Sequence, residues 1–360
     1  MDRATAACDY LLDLRRTRRP VVALPADVVP RSLAEAYDAP ERLVRSLLDR
    51  SGGHPVGYKV ACTSRLAQKA LGVDGPFFGV LLSHSTHPSP ATLRGSDFTV
   101  RCAEAGFGFE MADDVPAGPA YPAETVKPFI AAALPSIEVV DHRYHDWQAV
   151  GAPSLVADNA IHGAGVPGDP YAGWRAIDFA RHPVTRTVNG DKSFPGSGPA
   201  VLGNPLAVVA WLANELPKFG RRLRRGDRVT TGVTIGIYLA APGDRLTADF
   251  GPLGQVGLDF KRACDARADS ESLGPSPFTR RASRGWSAAR RERGCRRGSP
   301  GPGSRSDPRT PQAGGGPPRV PATGAAGDAC APARANPRTR CGRGARCDYA
   351  PSECPPPGTP

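Results

Sequence analysis

The sequence predicts an α+β domain in which helices come first, a mainly β half follows, and a long C-terminal tail lies outside both. Three observations carry this. Apolar residues form a stripe at helical spacing in the first fifty residues. From Gly57 they fall instead into short runs separated by Gly and Pro turns, and after Phe260 no period is sustained.

The elements follow in order. ATAACDYLLDLRR reads as a helix ending in a basic cluster before Pro20. SLAEAYDAPERLVRSLLDRSGG opens with Ser32 and Glu35 at capping-box spacing and closes on Gly52 and Gly53, and Pro40 is expected to break it into two pieces. VGYKVAC and FGVLL read as strands, TVKPFIAAAL as a short helix, and SIEVVD as the strand after it. NPLAVVAWLANELPKFG is the clearest helix: Asn204 caps it, Pro205 sits in its first turn and Gly220 ends it. RVTTGVTI reads as a strand, and DRLTADF and QVGLDF, joined by GPLG, read as a hairpin.

A chain of 360 residues can form one large domain or two smaller ones with a sizeable core. The expected division is a helical segment at 1–55, a catalytic domain at 56–261 and a tail at 262–360. The net charge of +11 is concentrated in that tail, which holds 18 Arg, no Lys and 8 Asp plus Glu, so the part before it is close to neutral. The tail is rich in Pro, Gly, Ser and Ala and cannot bury enough apolar surface to offset chain entropy, so it is expected to be disordered. An Arg-rich nucleic-acid arm is one reading of it. A solvated tail, or an out-of-frame extension of a GC-rich gene, is the favoured one, and nucleic acid is not expected as a partner.

Cys8, Cys62 and Cys102 are unevenly spaced, as in a reduced cytosolic domain. The six tail cysteines lack C-x-x-C pairs and any histidine, which argues against zinc. No apolar stretch approaches the roughly 18 residues of a membrane span. The charged N-terminus lacks a signal-peptide core, so a soluble cytoplasmic protein is expected, with no membrane partner. There is no G-x-x-x-x-G-K-[ST] loop, and a Ser-His-Asp triad cannot be argued from the sequence.

Eight stretches in order carry a resemblance: GYKVACTS (57–64), LGVDGPFFGVLL (71–82), AEAGFGFEMADDVP (103–116), LPSIEVVDHRYHDW (134–147), VADNAIHG (156–163), GSGPAVLGNPLAVVAWLANEL (196–216), GDRVTTG (226–232) and PGDRLTADFGPLGQV (242–256). Over roughly residues 5–260 the chain resembles the 2-keto-4-pentenoate hydratase / 4-oxalocrotonate decarboxylase family of the fumarylacetoacetate hydrolase superfamily. The resemblance implies a mixed β-roll or barrel behind the N-terminal helices. It implies a divalent metal, Mg²⁺ or Mn²⁺, gripping the 2-oxo carboxylate end of a small dienol or enone from aromatic catabolism. A hydratase adds water to a 2-hydroxydienoate, whereas a decarboxylase uses the same electron sink to lose CO₂. A homo-oligomer is implied, with a decarboxylase/hydratase complex partner as a further option.

The family pattern places Glu-x-Glu on one strand and a third Glu on a later one, because residues i and i+2 share a face. Here the metal ligands are Glu104 and Glu138, and Gly106 stands in the second position. Glu110 lies about 20 Å further along an extended strand, too far to substitute. A water could fill the gap, and Gly106→Glu is expected to strengthen Mg²⁺ binding if the site is otherwise intact. Without the resemblance Glu104 would read as an exposed strand carboxylate, whereas Glu138, among apolar residues, reads as a ligand.

Lys59, otherwise a snorkelling strand lysine, matches a catalytic lysine that shuttles protons or anchors a carboxylate. Asp158 matches a catalytic position and Asn159 a substrate-binding one, although Asp-Asn is also good turn chemistry. Ser197 and Gly198 match a loop whose backbone amides meet a substrate carboxylate; on spacing alone they make a tight turn. His162 reads as a packed or exposed loop histidine in preference to a local acid/base. His142 and His145, near Asp141, read as capping a strand and facing solvent. Phe77 replaces an acid frequent in hydrating relatives, which argues against carrying over the whole hydratase mechanism. The competing class is a non-catalytic paralogue that serves as an assembly partner.

Overall fold

In the computed structural model residues 2–118 and 120–262 are described. The expected disorder of the tail and its six cysteines, Cys264 onward, fall outside them. Cys8, Cys62 and Cys102 are free thiols.

Helix α1 (Arg3–Thr17) starts where Asp2 accepts the Thr5 amide at 2.8 Å and ends on Arg18 in the left-handed region. Ser32 caps α2 (Leu33–Ala36) by accepting the Glu35 amide. Helix α3 (Asp38–Ser51) follows and ends on Gly52 at φ 72°. The break expected at Pro40 falls at Tyr37 instead: Pro40 sits in the first turn of α3, where its missing N–H has no intrahelical partner to lose.

The sheet region runs β1 (Pro55–Ala61), α4 (Arg65–Leu71), β2 (Phe77–Leu82), β3 (Ala91–Arg94), β4 (Cys102–Met111), β5 (Ile130–Val140), α5 (Gly151–Ala157), β6 (His162–Pro167), β7 (Pro183–Val188), β8 (Lys192–Ser197), α6 (Pro205–Glu215), β9 (Arg228–Thr230), β10 (Tyr238–Leu239), β11 (Arg245–Asp249) and β12 (Gln255–Lys261). A seven-stranded sheet has the order β2-β1-β9-β4-β5-β6, with β10 also on β4. A five-stranded sheet has the order β3-β12-β11-β7-β8. The α+β expectation holds, as do the capped α6 and the β11–β12 hairpin.

TVKPFIAAAL is not a helix. A short 3₁₀ stretch, Ala123–Phe129, leads straight into an eleven-residue β5 that contains the alanines and Pro135. Pro135 cannot donate within a helix, and the ladder with β4 runs almost the whole length of both strands, so pairing overrides alanine's helical preference. RVTTGVTI is strand only over Arg228–Thr230, and the rest forms a bulge along β4, described below.

Alternation on β4 separates core from site. Ala103, Ala105, Phe107, Phe109 and Met111 are buried in the main core, where Phe107 meets Phe179 and Phe250 edge-on. Residues 104, 106 and 108 face the other way. The N-terminal helices pack with Phe77, Val140 and α5 in a second cluster, so they form a layer on the sheet and not a separate body.

HRYHDW does not face solvent. Asp141, His142, Arg143 and Tyr144 are buried, and only His145 and Asp146 of that run are exposed. The reason is a buried ion cluster: Arg143 bridges Asp141 Oδ2 at 2.8 Å and Asp158 Oδ2 at 2.6 Å, and Arg15 of α1 holds Asp158 Oδ1 at 2.8 Å. This cluster ties α1 to the turn after α5.

Candidate active site

The cleft is laid out by strand register. Glu104 on β4 is directly opposite Glu138 on β5, and Gly106 is opposite Ser136. Thr230 on β9 is opposite Gly108 on one side and Lys59 on the other. All of these side chains therefore project from one face of the sheet. Glu104, Gly106, Ser136, Glu138, Thr230 and Gly232 line a small cleft. Ser136, Glu138 and Thr230 are shared with an adjoining, mostly apolar space lined by Val56, Leu81 and Leu134.

Lys59 is 2% exposed, and its Nζ donates to Glu138 Oε1 at 2.7 Å and to the Ala160 carbonyl at 3.1 Å. His162 Nδ1 lies 3.1 Å from the same Glu138 oxygen, and its Nε2 lies 3.3 Å from Ser85 Oγ. Burial alone would raise the Glu138 pKa, but the Lys59 charge and the His162 contact bring it below its ordinary value. Burial pushes Glu104 up to about 7, with the facing Glu138 charge adding to it and Lys59 opposing. Burial also lowers the His162 pKa. The cleft thus pairs one carboxylate held ionised with one poised near neutrality.

Two backbone irregularities aim these groups. Val139 pairs with Ala164 and Val140 with His162, so Gly163 is an extra residue on β6. This bulge turns His162 toward Glu138, and a Cβ at 163 would collide with the Val139 carbonyl. Asn159, Ala160 and Ile161 all have φ near +50° (54°, 51° and 54°), a left-handed turn that presents the Ala160 carbonyl to Lys59. Such a turn costs about 1–2 kcal/mol per residue and persists only where its surroundings fix it.

The expected site residues divide accordingly. Glu104, Glu138 and Lys59 converge. Asp158 does not reach the cleft; both its oxygens are taken by Arg15 and Arg143. Asn159 is also engaged elsewhere: its Oδ1 accepts the Val80 amide at 2.7 Å and its Nδ2 donates to the Val80 carbonyl at 2.9 Å. The amides of Ser197 and Gly198, expected to meet substrate, already donate to the carbonyls of Thr234 and His182. Asp158 and Asn159 thus build the turn under Lys59, and Ser197 and Gly198 close the end of β8. His162 is the residue that sequence reasoning undervalued; the signal available was the glycine after it, which permits the bulge.

A side chain at 106 has no room. The carbonyl oxygen of Gly232 stands where a Cβ on Gly106 would be, well inside van der Waals contact. The expectation that Gly106→Glu restores a ligand therefore fails on steric grounds. A divalent cation still finds suitable chemistry. Glu104 receives no hydrogen bond from the described residues, and Thr230 Oγ1 is buried without a partner. Two carboxylates with neutral oxygens nearby suit a hard cation that keeps further positions for water or substrate. No group of three His, Cys, Asp or Glu side chains placed to hold one metal ion together occurs among the described residues.

Fold and site together define an α+β protein with a carboxylate–lysine cleft laid on one face of a mixed sheet. No protein-family model matches the chain. A 2-keto-4-pentenoate hydratase from Paraburkholderia phymatum is 31% identical over 245 residues, which are 68% of this chain and 93% of that one. A 2-hydroxyhexa-2,4-dienoate hydratase from Comamonas testosteroni is 29% identical over 252 residues, 69% and 94% of the two chains. The solved 4-oxalocrotonate decarboxylase from Pseudomonas putida G7, complexed with magnesium and adipate, matches with a TM-score of 0.66 at 27% identity, covering 71% of this chain and 97% of that chain. The chain belongs to the 2-keto-4-pentenoate hydratase / 4-oxalocrotonate decarboxylase family.

Two variants test this geometry. Gly106→Ala forces the Gly232 carbonyl to move and is expected to cost about 1–3 kcal/mol in urea unfolding; a neutral result would mean that the bulge over Gly106 is loose. Asp158→Ala leaves two arginines without their buried partner and is expected to lose about 3–5 kcal/mol. A direct catalytic role for Asp158 would instead show as lost turnover with stability unchanged.

Proposed function

We propose that this chain is a divalent-metal-dependent hydro-lyase that hydrates small 2-hydroxy-2,4-dienoates carrying a single carboxylate. The observation that carries the reading is the pair of facing carboxylates, Glu104 and Glu138, with Lys59 against the second, at the polar end of a cleft whose other end is apolar. Glu104 and Glu138 would hold the cation, and when bound it supplies positive charge to the substrate's 2-oxo acid oxygens and polarises the 2-oxo group. The reaction moves the 2-hydroxyl proton to the far end of the diene. It then adds the H and OH of water across the remaining conjugated bond.

Such proton transfers need a group in the cleft that both accepts and returns a proton, and Lys59, hydrogen-bonded to Glu138 Oε1, is placed to do this. Lys59 keeps Glu138 ionised and fixes its orientation. The hydrocarbon end of the substrate would lie against Val56, Leu81, Leu134 and Pro167. The cation at that end, Arg228, is 3.3 Å from Glu110, so a second substrate carboxylate would compete with an existing ion pair. This favours the hydratase over the decarboxylase activity that other relatives carry in their names.

The test is turnover with Mg²⁺ or Mn²⁺ on a panel of 2-hydroxydienoates beside 4-oxalocrotonate. The monocarboxylates are expected to lead in kcat/KM by about tenfold or more. Glu104→Gln is expected to lower kcat by about 10²–10⁴-fold. CO₂ release from the dicarboxylate as the faster reaction would assign decarboxylation instead. The substitution at position 106 motivates a non-catalytic assembly partner as the second reading, and metal binding without turnover of any panel member would favour it.

A further inference from the structure

The segment after β9 does something its sequence does not announce. Thr231 donates its amide to the Phe107 carbonyl, and Thr234 donates its amide to the Ala105 carbonyl. Both hydroxyls reinforce this, Thr231 Oγ1 to Phe107 at 3.0 Å and Thr234 Oγ1 to Ala105 at 2.8 Å. Two residues, Gly232 and Val233, therefore stand opposite the single residue Gly106. That is a bulge, and it is pinned on both sides. Gly232 is at φ +91°, and its carbonyl occupies the volume that the first carbon of a side chain at 106 would need.

A second observation lies at the start of the same bulge. Among the described residues three buried side-chain polar atoms lack a hydrogen-bond partner: Thr99 Oγ1, Arg186 Nε and Thr230 Oγ1. Of these only Thr230 lines the cleft, on the face that carries Glu104 and Glu138. A buried hydroxyl without a partner is costly, and in a native protein it points to a bound water or ion.

We propose that Thr230 Oγ1 takes a ligand position on the divalent cation of this chain, with the Gly232 carbonyl beside it closing the place that a carboxylate at 106 would fill. This rests on the metal-dependent reading above. The donor set becomes two carboxylates and neutral oxygens, with one negative charge fewer than a three-carboxylate site. Hydroxyl and carbonyl oxygens are hard donors that suit such a cation.

Mn²⁺ binding by the purified chain, followed by electron paramagnetic resonance with no substrate present, tests the assignment. Thr230→Val keeps the shape and removes the hydroxyl; it is expected to weaken Mn²⁺ binding about tenfold or more. Thr230→Ser should bind close to wild type. Should Thr230→Val fail to fold, as judged by circular dichroism, Thr230→Ala is measured in its place with the same expectation. Thr230→Val binding within about twofold of wild type, while Glu104→Gln binds much more weakly, overturns this inference and leaves the metal-dependent reading standing. A wild-type chain that binds no Mn²⁺ overturns both.

Discussion

One oxygen atom organises the site. Glu138 Oε1 takes a hydrogen bond from Lys59 and lies within hydrogen-bond distance of His162, deep in a strand whose neighbours are apolar. A buried ion pair of this kind adds little net stability, because desolvating both charges offsets most of their attraction. What it provides is position. Lys59 needs a second acceptor, the Ala160 carbonyl, and that carbonyl is aimed by three consecutive left-handed residues. The turn is fixed from one side by Asn159 against the Val80 backbone and from the other by Asp158 between two arginines. Helix α1 supplies one of those arginines. The N-terminal layer is thus connected to the cleft by direct contacts at every step, through residues that never enter it.

The same atom sets the difference between the two acids. Two carboxylates facing one another in a largely buried cleft cannot both ionise freely. Lys59 and His162 both lie against Glu138, so Glu138 keeps the charge and Glu104 carries most of the penalty. The asymmetry follows from the strand pairing. Lys59 is hydrogen-bonded to the acid on β5, and the acid on β4 is left with no hydrogen bond from the described residues.

Most of the frame was legible in the sequence because caps, glycine stops and alternation are local signals. Asn204, Pro205 and Gly220 bound α6, and the alternation of small and aromatic residues on β4 marks its two faces. TVKPFIAAAL was misread because its strand state depends on β4, a partner no local window contains. The Asp158-Asn159 pair was correctly seen as turn chemistry and also matched to catalysis. Only the distant Arg15 and Arg143 decide between those, and neither is near it in the chain. HRYHDW is expected to face solvent; the same arginine–carboxylate cluster explains why its first three residues lie inside while His145 and Asp146 are exposed.

Position 106 shows how closely a glycine on a strand can be covered. A strand position without a side chain leaves either a cavity or room for a close approach, and tight packing favours the approach. Here the neighbouring segment has the means to move in: a glycine that tolerates φ +91°, and two threonines that hold the bulge on either side of it. Glycine at 106 and the inward carbonyl of 232 are therefore one feature. A carboxylate cannot be reintroduced at 106 without also withdrawing the bulge, and withdrawing the bulge would move the segment that begins at Thr230. On that side of the cleft the β9 segment contributes Thr230 and Gly232, and β4 contributes Glu104 as its one carboxylate.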